Sequence, residues 1–67
     1  MTPTQYRKAL EHLGLSQHEL ADLIGIGRRT SQGYALGEYP VHPAIAILLR
    51  LLVKNKITVE DVNAASR

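Results

Sequence analysis

The glycine spacing in residues 15–37, LSQHELADLIGIGRRTSQGYALG, allows two short helices joined by a tight turn and nothing longer. The first opens at Ser16, which forms a capping box with Glu19, while Leu15 and Leu20 are spaced as a hydrophobic staple. Leu20, Leu23 and Ile24 supply its buried face, and Ala21 is small where a neighbouring helix approaches. Gly25 ends it. Ile26 then turns an apolar side chain toward the core, and Gly27 serves as the next N-cap. The second helix runs to Leu36 and stops at Gly37. Gly33 inside it costs about 1 kcal/mol relative to Ala, so the packing of Tyr34 has to hold it. Its polar residues Arg28, Arg29 and Gln32 have no acid nearby in this reading.

The flanking sequence reads as three more helices bracing this pair. Thr2 caps the first, Pro3 suits its first position, and Gln5 completes a capping box. Tyr6, Ala9, Leu10 and Leu13 then fall at i, i+3, i+4 and i+7, an apolar stripe that Gly14 terminates. Glu38, Tyr39, Pro40 and Val41 are not helical, because Pro40 disfavours helix at Tyr39 and Pro43 disfavours it at His42. Pro43 starts a fourth helix that runs to about Lys54. Thr58 to Asp61 cap a short fifth, with Ile57 and Val62 spaced as its staple, and the last few residues fray. No segment alternates like a strand. The expected fold is all-α, a compact five-helix bundle forming a single domain over residues 1–67.

A chain of 67 residues buries only roughly 60% of the surface its unfolded form exposes. It has no cysteine, which removes disulfides and thiolate metal sites. His12, His18 and His42 match no ligand spacing, so no metal is expected. Stability has to come from helix packing or from a second copy of the chain. The net charge is +2. Its distribution is more telling: between Asp22 and Glu38 the only charges are Arg28 and Arg29, while acids collect at Glu11, Glu19, Asp22, Glu60 and Asp61. A local cationic helix, braced by the helix before it, is the geometry for placing side chains in the major groove of DNA. No carboxylate pair, nucleophile with base, or phosphate-cradling loop points to an enzyme, and no cofactor or small-molecule ligand is implied. Met1 leads into a polar, capped helix with no apolar leader segment, and the apolar run 44–53 is interrupted by Arg50 and too short to span a bilayer. The expected location is the cytoplasm, on the nucleoid when bound to DNA, with no membrane association.

Taken together, Leu15-Ser16-Gln17, Glu19-Leu20-Ala21, Ile24-Gly25-Ile26, Tyr34 and Gly37-Glu38 resemble the lambda-repressor/Cro-type helix-turn-helix domains of bacteria and their phages. Ile57-Thr58-Val59-Glu60-Asp61-Val62 is similar to the start of that family's fifth helix. The resemblance extends from about Gln5 to Val62, with the helix-turn-helix itself at about residues 16–37. Arg28-Arg29-Thr30 through Gly37-Glu38, with Pro40-Val41, Pro43 and residues 46–52, also resembles a group of small bacterial regulators. The resemblance implies a sequence-specific binder of double-stranded DNA, a transcription regulator of repressor type. It assigns base reading to the start and outer face of the third helix, here Arg28, Arg29, Gln32 and Gly33, and a backbone or base contact to Gln17. Two positions depart from the family pattern and weaken that helix. Ser31 stands where an apolar core residue is usual, and Gly33 where a longer polar one is usual.

The individual residues carry different chemistry. Arg28 and Arg29 sit in a first helical turn, which disfavours positive charge by about 0.3–1 kcal/mol, so a function has to explain them. An arginine fork suits guanine O6 and N7, and Gln32, one turn on, suits adenine. Thr30 bonds either a phosphate or a local carbonyl. Tyr39, after the helix, either reaches a phosphate or packs the turn. Tyr34 is core, and Arg7 and Lys8 are a solvated face. On the fourth helix, Ala44, Ile45, Ile47, Leu48, Leu51 and Leu52 read as the core side. Ala46, Leu49 and Val53 then leave the opposite side apolar too. The expected consequence is a homodimer with Leu49, Val53, Val59 and Val62 at its interface. The alternative to a DNA regulator is a protein-interaction module, such as an antitoxin or a regulatory subunit, on the same scaffold.

Overall fold

The computed structural model describes residues 1–65, which fold into five helices with no strand among them. These are α1 (Pro3–Leu13), α2 (Gln17–Ile24), α3 (Arg28–Leu36), α4 (Pro43–Val53) and α5 (Val59–Ala65). The all-α, five-helix expectation holds. The final two residues, where fraying was expected, lie outside the described residues. None of the described helices is long and apolar enough to cross a membrane.

Local chemistry sets the helix ends. Thr2 Oγ1 accepts from the Gln5 amide at 3.1 Å while Gln5 Oε1 accepts from the Thr2 amide at 2.9 Å. Ser16 and Glu19 repeat the exchange at 3.0 and 2.9 Å. At α5, Thr58 pairs in the same way with Asp61, at 2.9 and 3.0 Å. The cap of α4 is His42, whose Nδ1 accepts from the Ala44 amide at 3.1 Å; the sequence reading passed over it. Gly25, at φ +76°, reverses the chain between α2 and α3, and both its own amide and that of Ile26 donate to Ala21 O at 2.9 and 3.1 Å. A side chain at that φ would be strained.

The core joins α1, α2, α3 and α4 through Tyr6, Leu10, Leu20, Tyr34, Ala35, Leu49 and Leu52. α1 packs on both α3 and α4, α2 packs on α3, and α5 lies against α2. Tyr6 and Ser31 are both wholly buried, and their hydroxyls share a hydrogen bond of 2.6 Å between α1 and α3. Ser31 is therefore not a weak substitute for an apolar residue. It satisfies a phenol that the core could not otherwise bury without cost. The rings of Tyr6 and Tyr34 meet edge to face at 5.6 Å, and those of Tyr34 and Tyr39 at 5.8 Å. Arg7 is not merely solvated. Its guanidinium donates to the Ala35 carbonyl near the end of α3 and to Thr4 Oγ1.

The structure rotates the expected phase of α4 in part: Leu52 is core as expected and Ile45 and Leu48 are half-buried against the core, but Ala44, Ile47 and Leu51 are exposed. Ala46, Leu49 and Leu52 are the buried positions, with Leu49 fully enclosed, whereas Ile47 is 57% and Leu51 37% exposed. Leu49 is thus a core residue and not a dimer contact. Val53 and Val62 are half-buried against the same core, and of the expected interface only Val59 is exposed. A helix apolar on every side carries no phase in its pattern, and here the packing of α1 chooses it.

The Tyr6–Ser31 bond should show the asymmetry of buried pairs. Tyr6→Phe or Ser31→Ala alone leaves a buried hydroxyl unpaired and should cost about 1–3 kcal/mol, whereas the double variant should cost less than the sum. Urea denaturation of the four proteins measures this. Burial also pushes the Tyr6 phenol above its usual value of 10.0, with the bond to Ser31 partly offsetting it. The folded state therefore holds the phenolic proton more tightly, a stabilisation complete below about pH 10 and lost as pH rises through the higher folded value. Wild type should lose stability above about pH 10 more steeply than Tyr6→Phe.

Candidate nucleic-acid interface

With Ser31, Tyr34 and Ala35 turned into the core, the rotation of α3 is fixed. At about 100° per residue, Arg28, Gln32, Leu36 and Arg29 then share an arc of about 100° turned away from the core, with Arg28 at its edge beside Ala35. All four are exposed, Leu36 by 61%. The structure thus brings together Arg28, Arg29 and Gln32 as the sequence suggested. It adds Leu36, which the sequence reading treated only as a helix end, although its spacing of four from Gln32 was the available signal. Thr30 is half-buried at the edge of this arc. Gln17 comes from a different element, the first position of α2, where it is half-buried beside Arg7, Leu15 and His18.

Gly33 does not belong to this surface. It is buried, because Tyr39 folds back over it and donates its hydroxyl to the Arg29 carbonyl at 3.2 Å. A Cβ at position 33 would lie 2.3 Å from Tyr39 Cζ, so only glycine admits the ring. The expectation that Gly33 contacts DNA is corrected accordingly. Of the two readings for Tyr39, turn packing accounts for its ring.

The electrostatics also differ from the sequence reading. Arg28 does have an acid nearby: Asp22, from α2, accepts from Nε at 3.1 Å and from Nη2 at 2.7 Å. The hydrogen bond from Arg28 holds the Asp22 carboxyl below its usual range, with the charges of Arg28 and His18 acting the same way. Asp22 in turn raises the Arg28 guanidinium. Both side chains are more than half exposed, so the pair adds little to stability. It does offset the unfavourable cationic charge in the first turn of α3. Arg29 has no ion-pair partner among the described residues.

A short helix buried on one side, offering an arginine- and glutamine-bearing arc on the other and braced by a capped helix across a glycine turn, has the form of a DNA-reading unit. The helix-turn-helix family model matches residues 7–62, most of the chain. The chain belongs to the lambda-repressor/Cro-type helix-turn-helix family. Comparison with curated proteins and with solved structures gave no match. The family is one of DNA-binding domains and is not typically enzymatic, which makes the chain a DNA-binding regulator in general terms.

The Gly33–Tyr39 contact opposes a gain that helix propensity alone would predict in full. A solvated mid-helix Gly→Ala change should stabilise by about 1 kcal/mol. Gly33→Ala should gain less than this, because the ring and its bond to the Arg29 carbonyl must move. The full gain should return in a Tyr39→Ala background, as read by thermal denaturation of the four combinations.

Proposed function

We propose that this helix-turn-helix domain binds double-stranded DNA sequence-specifically as a homodimeric, repressor-like transcriptional regulator, with α3 in the major groove. The observation that carries the proposal is the two-sidedness of α3. Ser31, Tyr34 and Ala35 are buried, and the exposed arc offers Arg28, Arg29 and Gln32. Their donors match purine edges: the arginine fork guanine N7 and O6, the Gln32 amide adenine N6 and N7. Leu36 on the same arc suits a thymine methyl group. Gln17, at the start of α2, suits a phosphate, since a helix start favours anions. Thr30 has the chemistry for a phosphate contact at the edge of the arc.

Binding should be salt-dependent, each phosphate neutralised adding about −0.9 to the slope of log K against log salt. Arg29→Ala and Gln32→Ala should each cost roughly 1–3 kcal/mol on a selected site, and any base-reading side chain should relax preference at one position. Gln17→Ala should weaken all sequences alike. Binding-site selection from random duplexes, followed by titration of each variant, makes the comparison. Loss of affinity that is uniform across sequences for every α3 variant would argue against base reading.

One recognition helix covers few base pairs, and two copies about a two-fold axis would read half-sites about 34 Å apart. The corrected phase of α4 moves the surface for a second copy to Ala44, Ile47 and Leu51, with Val59 a further exposed apolar residue. Ile47→Glu should keep the helical circular dichroism and abolish both the dimer in sedimentation and cooperative DNA binding. Leu49→Glu, which buries a charge, should unfold the domain. The exposed Ile47 and Leu51 also give the protein-interaction reading its one specific support. A monomer at high concentration that binds DNA only non-specifically would favour that reading.

A further inference from the structure

The Asp22–Arg28 pair has a geometry that charge balance alone does not require. A guanidinium has five N–H groups in one plane. Asp22 Oδ1 takes the Nε–H at 3.1 Å and Oδ2 takes one Nη2–H at 2.7 Å, so the carboxylate grips the side edge of the plane. The other Nη2–H and both Nη1–H groups are left, and two of these point in parallel along the end of the fork. That parallel pair is the donor set that meets guanine O6 and N7. The grip also biases the fork toward this plane before any DNA arrives, so less rotamer freedom remains to be lost on binding.

We infer that Asp22 is a positioning residue for base recognition, holding Arg28 by its side edge so that its end edge reads one guanine. The inference rests on the base-reading role proposed for Arg28 and divides the labour between the two arginines. Arg28, with its charge balanced by Asp22, is a weak attractor of phosphate and an oriented reader of one base. Arg29, with no ion-pair partner among the described residues, supplies the mobile charge for the DNA backbone. Asp22 is absent from the residues that sequence alone assigns to DNA, because the charge pattern groups it with the acids lying apart from the third helix.

The test is binding-site selection from random duplexes with wild type, Asp22→Asn, Asp22→Ala and Arg28→Ala, each first checked for native helical content and melting temperature. Arg28→Ala identifies the guanine position by abolishing its preference. Asp22→Asn, which keeps size and removes charge, should lower the preference for guanine at that same position by roughly tenfold. It should leave the other positions unchanged and bind unrelated DNA at low salt at least as tightly as wild type. Asp22→Ala should do the same. If both Asp22 variants keep the full guanine preference, or lose affinity at every position equally, the positioning role is overturned while the base-reading proposal stands. A wild type with no sequence preference removes both.

Discussion

The hydrogen bond between Tyr6 and Ser31 is the constraint on which the rest of the domain depends. Taken alone, α3 is a poor helix. Its N-cap, Gly27, makes no side-chain bond, Gly33 sits in its middle, and two arginines crowd its positive end. Tertiary contact has to supply what propensity does not. Tyr6 holds the middle of α3 through Ser31 and Tyr34, and Arg7 holds its last turn through the Ala35 carbonyl. Because Ser31 must face Tyr6, the rotation of α3 has one solution. A slip of one residue would turn the helix by about 100° and carry Arg28 toward the core. The arc proposed to meet DNA is thus set by a bond on the buried side of the same helix.

Much of this fold was legible in the sequence, and the legible parts share a cause. Capping boxes at Thr2 and Ser16, the glycine stops at Gly14, Gly25 and Gly37, and the prolines before and at the start of α4 are signals between residues a few positions apart. The parts that were not legible are set by distant neighbours. The phase of α4 could not be read in full because Ala46 and Leu49 are no more apolar than Ile47 and Leu51, and the position of α1 decides between them. The grip of Asp22 on Arg28 crosses a turn whose geometry a charge pattern does not carry. Gly33 reads as a gap in a recognition surface until Tyr39, six residues away, is seen to occupy it.

The same three corrections change the functional picture in one direction. Removing Gly33 from the proposed DNA surface centres it on the arc of Arg28, Gln32, Leu36 and Arg29. Pairing Arg28 with Asp22 lowers the net charge of that arc while leaving donors on both arginines. A surface of this kind relies less on bulk attraction for phosphate and more on aligned donors, the balance expected where base contacts specify and backbone contacts position. Moving the free apolar face of α4 to Ile47 and Leu51 keeps a second copy possible without disturbing the core that fixes α3.

The central claim, that a buried polar clamp turns one arc of α3 toward DNA, is tested most directly by amide chemical-shift mapping. The 15N-labelled domain would be titrated with a duplex carrying its selected site. The account predicts shifts concentrated at Gln17, Arg28, Arg29 and Gln32, with the amides of α1 around Lys8 and His12 and those of the second half of α4 unmoved. Shifts centred instead on the α1–α4 groove lined by Lys8, His12, Arg50 and Lys54, with α3 silent, would contradict it.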